Sequence, residues 1–125
     1  MSYREPLPEA CPPAGAEEIT VPREVFRLVR TSPPTPDDFR SQRAEKPNHK
    51  FPGVSECQVR GLSVYEKKTD CEKLLKFPHM RTRKLCCVRL DVGAGMIQQT
   101  FQPSHHTWWP LAAFDILVNS GVETV

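Results

Sequence analysis

Arg83-Lys84-Leu85-Cys86-Cys87-Val88-Arg89-Leu90-Asp91-Val92 is the stretch on which the fold turns. Cys86, Val88, Leu90 and Val92 fall on one side of an extended chain and are all apolar, while Leu85, Cys87, Arg89 and Asp91 fall on the other. Alternation with period 2 predicts a strand with one face laid on a core. Gly93-Ala94-Gly95 then turns the chain, and residues 96–101 predict a short partner strand.

On the N-terminal side, Lys67-Lys68-Thr69-Asp70-Cys71-Glu72-Lys73-Leu74-Leu75-Lys76-Phe77 predicts a helix. Thr69 or Asp70 caps it, Cys71, Leu74 and Leu75 share one face, and Pro78 ends it. Residues 58–65 predict a strand with Gly61 as a bulge or close-approach point. Residues 45–56 read as loop. Thr35-Pro36-Asp37-Asp38-Phe39 carries a cap, a first-position proline and acids in the first turn, predicting a helix to about residue 44. Glu24-Val25-Phe26-Arg27-Leu28-Val29-Arg30 predicts the first strand, with Phe26 and Leu28 on one face and Arg27 and Val29 on the other. Residues 111–118 are apolar enough for a final core element, helix or strand. The fold class is therefore α+β: one small compact domain over residues 20–125, mostly antiparallel strands with two short helices. A proline-rich, flexible, disordered tail over residues 1–19 precedes it.

Composition supports that division. The chain has 125 residues, enough for one domain. Of its 13 prolines, eight lie in the first 36 residues, where they exclude a continuous helix or a central strand. The net charge of +2 is too mild to mark a nucleic-acid binder by itself. Eight basic residues gather between positions 67 and 89, however, a patch able to meet RNA or an acidic protein. No apolar run is long enough to cross a bilayer, and the first residues lack the apolar centre of a signal peptide. The five cysteines, odd in number, are accordingly expected as reduced thiols in a cytoplasmic protein. Cys86 and Cys87 are adjacent and point to opposite faces of a strand, and no C-x-x-C occurs, so no metal is expected.

Ser104-His105-His106-Thr107-Trp108-Trp109-Pro110 is the least ordinary segment. Bracketed by Pro103 and Pro110, it is expected to be extended, with His105 and Thr107 on one side and His106 and Trp108 on the other. Imidazole works as acid or base near neutral pH, and tryptophan offers a flat surface for a ring. The segment reads either as a ligand wall or as a core corner. A strand arginine such as Arg27 makes a good anion clamp, and Ser63 and Tyr65 point the same way along their strand.

An early strand with arginine, then Gly61-Leu62-Ser63-Val64-Tyr65 leading into a helix, then a strand-rich C-terminal half resembles the ADP-ribosyltransferase-like fold. The RES-type NAD-degrading toxins and the RNA 2'-phosphotransferases are the nearest in style, over roughly residues 25–110. The resemblance implies NAD or an ADP-ribosyl group as substrate, held in a cleft between two small sheets. Arg27 matches the first-strand Arg/His position, and Ser63 or Tyr65 the second-strand Ser/Tyr position. Many such transferases carry a later-strand glutamate, but here residues 83–110 hold Asp91 as their only acid. His105 or His106 must then supply the polar contact to the ribose, or catalysis is absent.

Three readings follow. As an enzyme, Arg27 holds a phosphate, Tyr65 and Trp108 sandwich the nicotinamide, and His105 or His106 contacts the ribose. As a binding module, the basic surface over residues 67–89 meets RNA or an acidic protein, with the tryptophans as a stacking platform or core. As an accessory subunit, the chain presents a flat apolar surface to a protein partner.

Overall fold

The structure, a computed structural model, describes residues 2–124. Strands β1 (Glu17–Glu18), β2 (Arg23–Val29), β3 (Leu62–Tyr65), β4 (Lys84–Leu90), β5 (Gly95–Gln99), β6 (His105–Pro110) and β7 (Ser120–Val122) form one antiparallel sheet. Its order is β1-β5-β6-β3-β2-β4-β7. Helices α1 (Gln42–Glu45), α2 (Glu56–Val59) and α3 (Lys68–Glu72) are single turns, α3 running on as a 3-10 turn over Lys73–Lys76. Among the described residues no helix is long and apolar enough to cross a membrane.

The β4 alternation holds through Leu90, whereas Val92, read on the same face, lies past the end of the strand and is exposed. Cys86, Val88 and Leu90 are fully buried, and β4 pairs with β2 over seven residue pairs, Arg23 opposite Leu90 through Val29 opposite Lys84. That register sets Val25 beside Val88 on the core face, where Leu62, Val64, Ile97 and Trp108 join them from the other strands. The face of β2 carrying Arg27 is thus the core face, and Arg27 interrupts an otherwise apolar row. At the open end of the β5–β6 hairpin Gly95 (φ +125°) faces Pro110, and an added Cβ there would lie 2.1 Å from the Trp109 carbonyl, so only glycine fits.

Several expectations change. The helix foreseen from Thr35 to about residue 44 is two pieces: a 3-10 turn over Pro36–Phe39, then α1, restarted by Ser41 whose Oγ accepts from the Ala44 N–H. Helix α2 arises where the expected loop meets the strand foreseen over residues 58–65, because Ser55 caps it through the Gln58 N–H, so that strand begins only at Leu62 and the described residues hold three helices. Residues 111–118 form turns in which Ile116 alone is buried, while Leu117 and Val118 stay exposed. The last strand is β7, paired with β4.

Residues 2–19, foreseen as a flexible lead, lie along the domain. β1 pairs with β5, Tyr3 bridges Leu111, and Ile19 is buried. The Glu5 carboxylate accepts from the Ser41 N–H and hydroxyl, and Arg60 donates to the Pro6 carbonyl at 2.9 Å. Proline removes its own donor but leaves carbonyls and side chains free to bond, and these hold the lead. Cys11 and Cys57 are joined as a disulfide, correcting the expectation of five reduced thiols. An odd count excludes only complete pairing, and the separation of 46 residues hides the partnership from the sequence. Cys71, Cys86 and Cys87 are free.

Candidate functional site: a cleft between two half-sheets

β2 and β3 meet at a single residue pair, Phe26 opposite Tyr65. Continuing that register would set Leu28 opposite Ser63, but no ladder forms there, and the strands part. A cleft of about 500 Å³ opens at the parting, within the range of small-molecule sites. Arg27, Ser63, Tyr65 and His105 all line it, together with Arg40, His79 and Arg83.

Arg27 is locked by backbone. Its Nε donates to the Asp38 carbonyl (3.1 Å), Nη1 to the Ser63 carbonyl (2.8 Å) and Nη2 to the Arg40 carbonyl (3.2 Å). Two of those carbonyls belong to the turn after Thr35. Asp38 fixes that turn: its carboxylate accepts from the Arg30 N–H (2.7 Å), the Thr35 N–H (2.9 Å) and the Thr31 hydroxyl. Burial alone would raise the Asp38 carboxyl, but these hydrogen bonds together outweigh it and hold the group below its usual range. Among the described residues no carboxylate forms an ion pair with Arg27. Glu45, which also lines the cleft, is taken by Arg30 through both carboxylate oxygens. Burial lowers the Arg27 pKa from its very high ordinary value, and at neutral pH it remains a cation. Neutral carbonyls therefore orient this cation without cancelling it, which suits an anion.

His105 stands across the cleft on β6. Its Nδ1 lies 3.2 Å from the Thr100 carbonyl and 2.9 Å from the Thr100 hydroxyl, and its Nε2 lies 3.2 Å from Ser63 Oγ. Burial pushes the imidazole below its ordinary 6.5, so it is neutral at pH 7. A neutral imidazole has one N–H. The Thr100 carbonyl can only accept, so it draws that proton to Nδ1 and leaves Nε2 to accept from Ser63. Tyr65 and Phe101 flank the ring, each with centroids 5.2 Å away. Phe101 sits at φ +61° and is 72% exposed, an uncommon conformation for an aromatic residue.

The other expected site residues lie elsewhere. His106 and Trp108 alternate to the core face of β6, as the extended reading of that segment requires. His106 Nδ1 bonds the Ser104 carbonyl at 3.0 Å, and Trp108 Nε1 donates to the Ala94 carbonyl at 3.0 Å. Trp108 packs edge-on against Phe114, so it does not face Tyr65 across a ligand. Trp109 donates to the Cys57 carbonyl at 2.9 Å. Gly61 gives room to the protein itself: an added Cβ would lie 2.4 Å from Thr107 Cγ2 and 3.1 Å from Trp109 Nε1.

The basic stretch divides. Lys68 pairs with Glu123 and Lys73 with Asp70, while Arg83 turns into the cleft. The free thiols are held protonated mainly by burial, Cys71 and Cys87 at about 12 and Cys86 at about 11. Among the described residues no group of three or more His, Cys, Asp or Glu is placed to hold a metal ion.

Asp38, Arg40, Thr100 and Phe101 were not singled out as site residues from the sequence. Only Asp38 had a signal there, as the third position of a capping motif. The chain matches no family model, no curated protein and no solved structure.

Proposed function

We propose that the chain is an ADP-ribosyltransferase-like or NAD-glycohydrolase-like domain acting on NAD or an ADP-ribosyl group, in the style of the small NAD-degrading toxins. The observation that carries the reading is the convergence of Arg27, Ser63, Tyr65 and His105 on one cleft between two half-sheets. Arg27 binds a phosphate oxygen through the N–H bonds its three carbonyls leave over. Tyr65 offers the ring face for nicotinamide, and His105 with Ser63 contacts the ribose hydroxyls. No metal enters the reading. The proposed setting is the cytoplasm. It requires the domain to hold with Cys11 and Cys57 reduced, for which the bonds of Glu5 and Arg60 to and from the lead provide.

The test is NAD consumption by the purified chain beside Arg27→Ala, His105→Ala and His106→Ala. Turnover lost in the first two and kept in the third supports the reading, and no turnover in the wild-type chain removes it. An alternative, a non-catalytic module, is favoured by one observation: Arg83, from the basic stretch over residues 67–89, lines the same cleft. An RNA or acidic protein partner would then engage the cleft rim. Salt-sensitive retention on heparin, weakened by Arg83→Ala, tests it.

A further inference from the structure

We propose that Ser63 and His105 form a serine–histidine nucleophilic pair that cleaves carboxylic esters carrying an anionic group. The inference stands on the cleft geometry and does not depend on NAD as substrate. An activated hydroxyl needs a base within hydrogen-bond reach and a third group that orients the base. Ser63 Oγ is 3.2 Å from His105 Nε2, and the Thr100 carbonyl stands 3.2 Å from Nδ1 on the other side of the ring. The base is shielded, His105 being 8% exposed, whereas Ser63 is exposed on the cleft wall. Tyr65 and Phe101 hold the imidazole from two sides.

A cation is built into the same residue's backbone: Arg27 Nη1 donates to the Ser63 carbonyl. Of the five guanidinium N–H bonds three go to carbonyls, and two have no protein acceptor among the described residues. In this proposal they bind the substrate anion, with Arg40 and Arg83, which also line the cleft, adding charge.

The steps balance. As Ser63 Oγ attacks the ester carbonyl carbon, its proton passes to His105 Nε2. The bond from that carbon to the alkoxy oxygen breaks, and the leaving oxygen takes the proton from Nε2, giving an alcohol and acyl-Ser63. Water then loses a proton to Nε2 and attacks the acyl carbon. The bond to Ser63 Oγ breaks, and Oγ recovers its hydrogen from Nε2 as the carboxylic acid leaves. A neutral carbonyl sets the tautomer but gives the imidazolium no anionic partner. Turnover is therefore expected to be slow, and covalent capture is the sharper readout.

The experiment treats the full folded chain with a fluorophosphonate probe, whose fluoride is displaced by an activated serine, and maps the adduct by mass spectrometry. The expected result is one adduct, on Ser63, absent in urea and at least about tenfold slower in His105→Ala. Hydrolysis of 4-nitrophenyl hemisuccinate is expected to exceed that of neutral 4-nitrophenyl acetate, with the gap closing in Arg27→Ala. An unlabelled Ser63 in the folded wild-type chain overturns the proposal whatever the variants do. So does labelling at an unchanged rate in a folded His105→Ala. Equal turnover of the two esters overturns the anionic preference. NAD consumption measured on the same preparation separates the fate of the NAD reading from that of this one.

Discussion

Arg27 on β2 donates through Nη1 to the backbone carbonyl of Ser63 on β3, at 2.8 Å, where the two strands have stopped pairing. A side chain thus does across the gap what a backbone N–H does elsewhere in the sheet. The same contact anchors the cleft's fixed cation to its exposed hydroxyl residue.

Removing that cation leaves three carbonyls without their donor. Arg27→Ala is expected to cost about 2–3 kcal/mol of stability, read by urea unfolding. Arg27→Lys keeps the charge but cannot serve three carbonyls from one planar head. It is expected to recover part of the stability and little of the NAD consumption. Equal activity in Arg27→Lys would show that charge alone, without the locked geometry, is what the cleft uses.

Asp38 acts on the cleft through Arg27. Asp38→Asn is expected to destabilise by about 1–3 kcal/mol and to loosen the turn whose Asp38 and Arg40 carbonyls hold the guanidinium. The pH dependence has a definite sign. The Asp38 carboxyl is held below its ordinary 3.8, so its stabilisation is present above that value and is lost as pH falls through the lower folded value. Acid unfolding followed by circular dichroism is expected to show a shallower acid limb in Asp38→Asn.

His105 is expected to set a one-sided pH profile. Its folded pKa lies below 6.5, so the neutral base is fully available above that pH and is lost as pH falls through the folded value. Tyr65, Phe101, Ser63 and Thr100 surround the ring, His106 is its neighbour on β6, and the fixed cation Arg27 is bound to Ser63; none supplies a carboxylate to raise it. Ser63 labelling is therefore expected to stay flat from pH 7 upward and to fall on the acid side. Stability follows the same direction, because the unfolded imidazole takes up its proton first as pH drops.

The Cys11–Cys57 disulfide closes a separation of 46 residues. Cys11→Ser is expected to lower stability by about 2–4 kcal/mol, measured by thermal unfolding with and without a reductant. Ser63 labelling is expected to continue in the reduced chain, since Glu5, Arg60 and the β1–β5 pairing also hold the lead.

Gly61→Ala is expected to destabilise by about 1–3 kcal/mol, because the new methyl would overlap Thr107 and crowd Trp109. Pairing it with Thr107→Ser, which removes the Cγ2 it meets at 2.4 Å, is expected to restore much of the loss in denaturant titrations.

What could be read beforehand was what is local. Alternation in residues 83–92 told strand and face, the prolines around residues 104–110 told an extended segment, and Thr35 told a cap that the structure contains. Arg27, Ser63, Tyr65 and His105 were legible as polar groups on strands. The other candidates were not: His106 and Trp108 have the same composition-level appeal as His105 and differ only by which side of β6 they face. That choice depends on β6 lying between β5 and β3, a pairing no short segment specifies. Ser41, which restarts the helix through its own hydroxyl, is further held by Glu5, 36 residues away. The lead's docking depends on scattered bonds from residues with no periodicity, and periodicity was the only signal available for it.

The single pair at Phe26 and Tyr65 has a mechanical consequence. With one ladder rung between them, the half-sheets β1-β5-β6-β3 and β2-β4-β7 are joined along that line by the shared core and by the Arg27 side chain that spans the gap. Residue 27 therefore acts as a spacer across the opening, and a shorter side chain there is expected to alter the aperture before it disturbs the seven-pair β2–β4 ladder.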